Sequence, residues 1–380
     1  MRVTIISAFF PPAHLAGGPV QTLGAMVSTA PLEASVDVVT SGGDLGKPNS
    51  LDVTFDSWCR WHDANVMYVR SGPARLIKAL LGAGRRKPDY VYVNSFFDVR
   101  YSLLPNILVR IGVFGRASLV VAPRGEFSSG ALALKARKKR VFIVVKRVLG
   151  LNRRIIWHAS TDDEATDIRR VVGQGAQVVV RINDTQLPSE ALKRRPRGNE
   201  PFQLVFASRL SQKKRLDVLL QALQSVSGEF ELRVVGAFES EEYERKCRAL
   251  ANSPTLSGRV HFVGPLSRSG VLGEFSRADA FAFPTAGENF GHVIGEALSQ
   301  SCPVISSDRT PWSSVIRQGG LVVANGRDNA DGFANALEEF IVRGPHGWEV
   351  ASVSAGQAYD KWVHRDTGPH LFEMLDDYRM

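Results

Sequence analysis

The sequence predicts an α/β protein built from two doubly wound parallel sheets, and three features support this prediction. Short apolar runs rich in β-branched residues recur along the chain. The connections between most of these runs are long enough to hold helices. The chain has 380 residues, which is too many for one ordinary hydrophobic core. Together these features predict two α/β domains of similar size.

The predicted strands fall into two series. The first series is predicted at residues 2–8, 35–40, 65–70, 89–94, 117–122, 154–160 and 177–182. The second series is predicted at residues 202–208, 230–236, 259–264, 278–284 and 302–307. A polar, proline-containing stretch with little to bury separates them. We therefore predict an N-terminal domain at 1–185, a linker at 186–200, a C-terminal domain at 201–355 and a final helical segment at 356–380.

Composition and cysteine spacing narrow the class of protein. The hydrophobic content of 44% is ordinary for a globular protein, and no apolar run approaches the roughly 18 residues of a membrane-spanning helix. The N-terminal segment lacks the cleavage pattern of a signal peptide, so we expect a cytoplasmic protein. Cys59, Cys247 and Cys302 are far apart and lack the spacing of metal or redox sites.

The basic residues are concentrated in one segment of the chain. The formal net charge is +9, and the stretch from Phe127 to Thr161 has nine basic residues and no acidic one. A helix predicted over residues 131–149 places apolar and basic side chains on opposite faces. The apolar face would hold Leu134, Val141, Val145 and Val148, and the basic face Lys135, Lys138, Lys139 and Lys146. Residues 131–154 would then be either a solvated surface or a docking site for an anionic membrane.

Candidate ligand-binding residues follow the predicted strands, because open parallel sheets bind ligands at the carboxyl ends of their strands. Gly17 and Gly18 follow the first strand and would let backbone amides approach an anion. Arg209 and Lys214 follow the first strand of the second series, where both could converge on a diphosphate. A structural glycine turn and solvated surface cations are the alternative explanations.

The segment GENFGHVIGEAL, residues 287–298, is the most informative stretch. Glu288 lies in the loop after a predicted strand, and a helix is predicted to begin near residues 290–292. The eight-residue offset is a little over two helical turns, so Glu296 can lie on the same side as Glu288 but deeper. The two carboxylates would contact two parts of an elongated ligand, while Gly291 lets backbone amides approach its anionic part. Alternatively, Glu288 is a charge at a helix N-terminus and Glu296 is solvated.

The motif E-N-F-G-x4-E-A, with SRLxxxKxLD before it and PVISSD after it, resembles the retaining glycosyltransferases of family 4, of the bacterial polysaccharide-assembly type. The resemblance covers nearly the whole chain. It implies the GT-B fold, in which two Rossmann-like domains face a cleft. It also implies that the final helix, residues 356–380, returns to the N-terminal domain.

The resemblance assigns roles in donor binding to the matched residues. Glu288 would contact hydroxyl groups of the donor sugar, and Glu296 would hold the nucleotide ribose. Arg209 and Lys214 would bind the diphosphate. The remaining residues predicted at the donor site are Asn289, Phe290, Gly291, Gly17 and Gly18.

Further residues are predicted from the resemblance on the other side of the cleft. His158, at a strand end in WHAS, would lie near the transferred sugar, so the predicted catalytic residues are His158, Glu288, Arg209 and Lys214. Arg124 and Glu126 of PRGEF are candidates for the acceptor side. Two positions depart from the family pattern, because Asp184 and Arg215 stand where glycine is usual.

The resemblance implies transfer of a hexosyl group, with retention, from a nucleoside diphosphate sugar to a lipid-linked glycan in exopolysaccharide, capsule or O-antigen assembly. Such an acceptor would place the protein at the inner face of the cell membrane. No Asp-x-Asp motif is present, so the two cations are predicted to replace a metal ion, and no cofactor is expected. A non-catalytic sugar-nucleotide or glycan-binding subunit, a GT-B sugar-nucleotide epimerase and a phosphorylase are the alternatives. Nucleic-acid binding is disfavoured because aromatic residues do not alternate with the basic charges.

Overall fold

The computed structural model describes residues 1–133, 135–193, 201–324 and 329–378. Met1–Gln186 and the chain from Thr367 onward make up the first of two compact domains, and Leu187–Asp366 make up the second. The division after Gln186 falls at the start of the predicted linker. Residues 187–193 of that linker belong to the second domain, and residues 194–200 lie outside the described residues.

Eight strands form the sheet of the first domain within the described residues. They are β1 (Arg2–Ser7), β2 (Ser35–Ser41), β3 (Trp58–Trp61), β4 (Ala64–Val69), β5 (Tyr90–Val93), β6 (Ser118–Val121), β7 (Ile155–Ala159) and β8 (Gln177–Val180). Their order is β3-β4-β2-β1-β5-β6-β7-β8, and only β3, an unpredicted edge strand, runs antiparallel to its neighbour. The strand order reverses between β1 and β5, which is where such sheets bind ligands.

Helices and two hydrophobic clusters cover the first sheet. The helices are α1 (Gly18–Ser28), α2 (Pro73–Gly84), α3 (Leu104–Arg110), α4 (Ser129–Ala133), α5 (Ala136–Val148) and α6 (Asp162–Val172), with a π-helical turn at Val99–Leu103 before α3. Successive residues of the strands alternate between the clusters, as in β1, where Ile5 belongs to one cluster and Ile6 to the other. The central strands are therefore buried on both faces, which explains their continuous apolar sequence.

The second domain repeats this architecture with a smaller, fully parallel sheet. Its strands are β9 (Phe202–Ala207), β10 (Phe230–Val235), β11 (Val260–Gly264), β12 (Ala280–Phe283), β13 (Val304–Ser307) and β14 (Leu321–Val323), in the order β11-β10-β9-β12-β13-β14. The helices are α7 (Leu216–Leu223), α8 (Glu241–Ala251), α9 (Arg268–Arg277), α10 (His292–Ser299), α11 (Ser313–Ile316), α12 (Ala330–Val342) and α13 (Gly344–Val363). Only β14 was not predicted. Here the strand order reverses between β9 and β12.

The end of the chain corrects the predicted final helix at 356–380. Helix α13 ends at Val363 and lies wholly in the second domain, which therefore runs to Asp366 rather than to residue 355. A separate helix, α14 (Leu371–Leu375), packs into the first domain with three buried side chains. The Tyr90 hydroxyl donates to the Leu375 carbonyl at 2.8 Å, which ties α14 to β5.

The basic segment also differs from its prediction as one helix with an inward valine face. Lys135 has a left-handed backbone with φ 56°, and α5 starts afresh after it, while Leu134 lies outside the described residues. Val141 and Val148 are 62% and 79% exposed, whereas Lys146 is only 1% exposed. The helix turns the opposite way because Phe142, Ile143 and the long stem of Lys146 pack on the core.

Candidate active site

The reversal of strand order in the second sheet brings together two loops that carry predicted donor-site residues. Arg209 and Lys214 lie between β9 and α7, and Glu288 lies between β12 and α10. Strands β9 and β12 are parallel neighbours, so both loops leave the sheet at the same edge. A backbone hydrogen bond joins the loops, in which the Ala286 N–H donates to the Lys213 carbonyl at 2.8 Å.

Lys214 and Glu288 form a mostly buried ion pair at this edge. Nζ of Lys214 donates to Oε1 of Glu288 at 2.7 Å, and Oγ1 of Thr285 donates to the same oxygen at 2.7 Å. The two side chains are 15% and 9% exposed. Burial raises the pKa of the Glu288 carboxyl, but the Lys214 and Lys213 charges and the Thr285 hydroxyl outweigh it, so the pKa lies below its usual range. Glu288 is therefore an ionised acceptor for hydrogen bonds at neutral pH.

Arg209 differs from Lys214 in being exposed. Its guanidinium donates to Oε1 of Glu239 at 2.7 Å, and about half of each side chain is in contact with solvent. An exposed pair of this kind contributes little to stability, so Arg209 can exchange Glu239 for another anion at little cost. Arg215, which stands where glycine was usual, has φ 60° and thus adopts the left-handed backbone that glycine adopts most readily.

Glu296 lies inside α10, which begins within the predicted range, at His292. Its side chain is 6% exposed, and Oε1 accepts from Nε of Arg268 at 3.1 Å. The alternative explanation of Glu296 as a solvated helix residue is therefore wrong. Gly291 precedes the helix with φ 83°, and a β-carbon there would lie 3.2 Å from Ile294 and 3.4 Å from Glu288. Glycine at this position keeps Glu288 close to the helix start.

Phe290 is part of the core of the second domain rather than an exposed contact. It is buried, and its ring lies 5.7 Å from the ring of Trp312, measured between centroids. Nε1 of Trp312 also donates to the Phe290 carbonyl at 2.6 Å. Phe290 therefore anchors the loop, while Glu288 and the half-buried Asn289 are placed closer to the surface.

In the first domain, the predicted residues Arg124 and His158 belong to one internal hydrogen-bond network. The Arg124 guanidinium donates to the Tyr92 hydroxyl at 2.6 Å and to Oδ1 of Asn94 at 2.8 Å, and it also contacts Asn183. The Tyr92 hydroxyl lies 2.8 Å from Nδ1 of His158, whose Nε2 lies 3.0 Å from the Arg181 carbonyl. These bonds link loops and strands at the carboxyl ends of β5 to β8.

The surroundings of His158 fix its protonation state and leave neither ring nitrogen without a partner. Burial lowers the pKa of His158 well below its usual range, and the nearby Arg124 charge lowers it further. The neutral ring then donates from Nε2 to the Arg181 carbonyl and accepts at Nδ1 from Tyr92. His158 holds the network together in this arrangement, and its direct contact with a substrate stays a prediction.

Glu126 is likewise turned inward. Its carboxylate accepts from the Ser95 hydroxyl at 2.8 Å and from the Phe96 N–H at 2.6 Å. Burial raises the pKa of Glu126 despite these bonds and the nearby Lys139 charge. Arg124 and Glu126 thus fix the PRGEF loop to the ends of β5 and β8, and neither is presented as a free acceptor-binding group.

The glycine loop after β1 is held by a residue that the sequence analysis did not identify. Gly17 has φ 72°, and Gly18 begins α1. The Asp44 carboxylate, after β2, accepts the backbone N–H groups of His14 and Leu15 at 2.9 and 3.0 Å. Asp44 is 30 residues from His14 in sequence, so no local pattern predicts this contact.

Other site partners also come from distant segments. Tyr92 is 66 residues from His158, Thr285 is a small polar residue with no motif of its own, and Arg268 is 28 residues from Glu296. Asp184, at the second position that departs from the family pattern, forms an ion pair with Arg181 at 2.9 Å.

In the described part of the chain, no group of three or more His, Cys, Asp or Glu residues could hold a metal ion. The same residues include no helix with the length and hydropathy needed to cross a bilayer.

Part of this chain is similar in sequence to known glycosyltransferases. Residues 189–346 match the family model described as Glycosyl transferases group 1. A D-inositol 3-phosphate glycosyltransferase from Xylanimonas cellulosilytica is 31% identical over 164 residues, which cover 39% of this chain and 39% of that protein. The O-antigen biosynthesis glycosyltransferase WbnH of Escherichia coli is 24% identical over 196 residues, covering 51% and 53%. The chain thus matches about half or less of the length of these curated relatives.

A solved structure extends the comparison to the whole fold. HepE of Anabaena, in complex with UDP and glucose, superposes with a TM-score of 0.69 at 16% identity and covers 99% of this chain and 100% of that one. At this identity the likeness concerns the fold alone. The chain therefore has the GT-B fold of two parallel-sheet α/β domains, and its residues 189–346 resemble the group 1 glycosyl transferases.

Proposed function

We propose that this protein transfers a hexosyl group from a nucleoside diphosphate sugar to a lipid-linked glycan, with retention of the anomeric configuration. The proposed setting is the assembly of a bacterial exopolysaccharide, capsule or O-antigen. The match to group 1 glycosyl transferases, the similarity to an O-antigen enzyme and the fold shared with a UDP-binding protein support this proposal. Retention and the nature of the sugar rest on the sequence resemblance.

The Lys214–Glu288 pair is the observation that carries the proposal. A sugar donor has hydroxyl groups at one end of its diphosphate and a nucleoside at the other. An ionised glutamate beside an ammonium group, where the strand order reverses, suits the junction of sugar and diphosphate. The exposed Arg209 is a second cation for the phosphates on the same loop.

The proposed reaction uses these groups without a metal ion. The bond between the anomeric carbon and the diphosphate oxygen breaks, and its electron pair stays on that oxygen. Arg209 and Lys214 stabilise the growing negative charge. The acceptor hydroxyl attacks the anomeric carbon from the same face, and its proton passes to the leaving phosphate oxygen. Glu288 holds sugar hydroxyls during the transfer, and Glu296, on the next helix, holds the ribose.

A thermal-shift panel tests donor binding. We expect one of UDP, GDP, ADP or their sugar conjugates to raise the melting temperature selectively, with and without EDTA. The shift should disappear in Glu296→Ala. Glu274→Ala is the matched control, because Glu274 is an equally buried helix glutamate that pairs with an arginine, Arg233 of β10, and has no predicted role at the donor site.

This panel, together with assays of donor consumption and of transfer, separates the alternatives. A selective shift that survives in Glu274→Ala and is lost in Glu296→Ala supports the donor site. Consumption of the donor without any acceptor would instead indicate an epimerase. Binding without turnover, with every lipid-linked acceptor tried, would indicate a non-catalytic subunit. Transfer that gives a product of inverted anomeric configuration by NMR would overturn the proposed retention.

We also propose that α5 attaches the protein to the inner face of an anionic cell membrane. Its exposed valines alternate with exposed cations, so one surface combines apolar insertion with charge attraction. The exposed side chains are Arg137, Lys138, Arg140, Val141, Val144, Val145, Arg147, Val148 and Leu149. Each cation near an anionic surface contributes about 1 kcal/mol, and the apolar groups add to this.

Vesicle co-sedimentation tests this attachment. We expect binding to anionic vesicles that weakens with salt. Affinity should fall roughly tenfold in Val141→Asp/Val148→Asp, because this variant loses apolar area that would enter the membrane and gains negative charge that the membrane repels. Val350→Asp, at an exposed valine of α13, should bind as the unaltered protein does. Equal binding to neutral and anionic vesicles would contradict the electrostatic part of the proposal.

A further inference from the structure

The first domain contains a pocket of about 380 Å³ whose walls come from four segments. Loops that follow β1, β2 and β4 contribute, together with the π-helical turn before α3. The volume lies within the range of ligand-binding pockets, roughly 300 to 1,000 Å³. All lining residues belong to the first domain, and none was identified from the sequence.

Three cations on different segments line this pocket. They are Lys47 after β2, Arg70 after β4 and Arg100 in the π-helical turn. Within the described part of the chain, none of the three forms an ion pair. The guanidinium of Arg70 lies 4.8 Å from the ring centroid of Phe55, which restricts its position without neutralising its charge.

The two carboxylates that line the same pocket are already engaged by backbone amides. Asp44 accepts the N–H groups of His14, Leu15 and Leu45 at 2.7 to 3.0 Å. Asp98 accepts the N–H groups of Arg100 and Tyr101 at 2.8 and 2.7 Å. These bonds hold the carboxylates against the loops, so the three cations are left to face a ligand.

The backbone around the pocket is shaped to leave room for a ligand. A β-carbon on Gly43 would lie 2.6 Å from the Lys47 carbonyl, so glycine is required for the tight turn that places Lys47. Gly72 has φ 144°, and a β-carbon there would meet no atom within 4 Å. The first turn of α2, which follows Gly72, contains no acidic residue, and its N–H groups add to the positive potential.

We propose that this pocket binds a phosphate or diphosphate group of the acceptor through Lys47, Arg70 and Arg100. The proposal rests on the proposed transferase function and adds the chemical class of the acceptor. The predicted acceptor-side residues Arg124 and Glu126 are engaged in bonds within the domain, so the charged part of the acceptor has its partners here instead. A phosphate on a soluble sugar and the diphosphate of a lipid-linked saccharide share this chemistry.

Calorimetric titration with inorganic pyrophosphate tests the pocket. The full-length Lys214→Gln protein serves as the background, because it lacks a cation of the proposed sugar-donor site. At constant ionic strength, adding Arg70→Gln or Arg100→Gln should each weaken binding roughly tenfold, since each removes a charge-assisted hydrogen bond. Arg70 and Arg100 are exposed, so these variants should fold as the parent does, which circular dichroism would check.

The matched control is Arg116→Gln, which removes an exposed arginine just before β6, at the amino end of that strand. It should leave pyrophosphate binding unchanged. An equal loss in Arg116→Gln would mean that pyrophosphate affinity follows net charge, and this result would overturn the proposed phosphate site. Unchanged binding in both Arg70→Gln and Arg100→Gln would overturn it as well.

Two further titrations distinguish the sources of the phosphate. One uses glucose 1-phosphate, and the other uses phosphatidylcholine vesicles that carry a polyprenyl diphosphate, compared with phosphatidylcholine alone. Binding that depends on Arg70 and Arg100 in either titration supports an acceptor of that source. Binding of pyrophosphate alone would contradict the acceptor assignment. Failure of the nucleotide panel is a separate result, because it tests Glu296 and the second domain only.

Discussion

The carboxyl ends of the two sheets contain similar residue types in different states. In the second domain, Lys214 and Glu288 meet in a mostly buried pair beside the exposed Arg209. In the first domain, Arg124 and His158 are joined through Tyr92, and their polar atoms are bonded inside the domain. The exposed Arg209 can exchange its partner for a ligand at little cost, whereas an exchange in the first domain would break internal bonds. A polar residue at a strand end is therefore a binding candidate only if its bonds can be exchanged.

The largest expected effect concerns the pair in the second domain. Lys214→Ala should reduce kcat/KM for transfer by about 100-fold or more, because the leaving diphosphate loses a fixed positive charge. Steady-state kinetics with the donor identified by thermal shift would measure this. Lys246→Ala is the control, since Lys246 forms a 2.6 Å ion pair with Asp217 and is not among the predicted donor-site residues. Transfer rates within twofold of the unaltered protein, in both Lys214→Ala and Arg209→Ala, would refute the assignment.

An effect on stability rather than on rate is expected for the network of the first domain. His158→Phe should lower the free energy of unfolding by about 2 to 4 kcal/mol, because the Arg181 carbonyl is left buried without its partner and the Tyr92 hydroxyl loses an acceptor. Urea denaturation would measure this. Tyr92→Phe in the same background should cost less than it does alone, since the two residues share one network. If His158→Phe instead abolished transfer with unchanged stability, His158 would contact the substrate directly.

The buried Lys146 of α5 should make the stability of the protein depend on pH. Burial among Phe96 and Phe142 lowers the pKa of Lys146 from 10.5 to about 8, and a nearby glutamate offsets only part of this. Between these two values the unfolded chain binds the extra proton, so the free energy of unfolding should rise with pH from about 8 to 10.5. Lys146→Met should remove that rise and increase the free energy of unfolding by roughly 2 kcal/mol at pH 7.

Denaturation at several pH values would show the difference. Lys138→Met, which replaces an exposed lysine of the same helix, should keep the rise with pH. A rise of the same size in Lys146→Met would show that another group is responsible.

The smallest expected effect concerns the loop beside the ion pair. Gly291→Ala should destabilise the protein by about 1 to 2 kcal/mol, because φ is 83° and the new β-carbon would press on Ile294. Thermal denaturation would measure this. Gly130→Ala, where the β-carbon meets no atom within 4 Å, should cost nothing measurable. A neutral Gly291→Ala variant would mean that the loop relaxes and does not fix Glu288.

Much of the fold could be predicted because buried parallel strands have continuous β-branched sequences. All twelve predicted strands are present, and the β9 and β12 loops carry the residues expected there. The edge strands β3 and β14 were missed, since short strands at an edge lack that pattern. The orientation of α5 was predicted wrongly because a helical wheel counts Lys146 as polar, whereas its methylene stem packs on aromatic rings.

The sequence indicated which residues lie together at the edge of the second sheet, but not the bonds that they form. The motifs identified Lys214 and Glu288, and their neighbouring loops explain why both lie at one edge. Local sequence carries no information on which partner each side chain takes, because partners such as Tyr92 and Arg181 arrive from other strands. This is why His158 could be predicted as a candidate but its closed surroundings could not.

The attachment of α14 to the first domain has a consequence for biosynthesis. Leu371, Phe372 and Leu375 complete a core whose other residues lie before Gln186, so the ribosome delivers them only after the whole second domain. Until then, Tyr90 and its neighbours present an uncovered apolar surface. The nascent first domain therefore lacks part of its core at a stage when the second domain can already fold. A stop codon near residue 366 would remove α14 and so destabilise the first domain, although that domain is synthesised first.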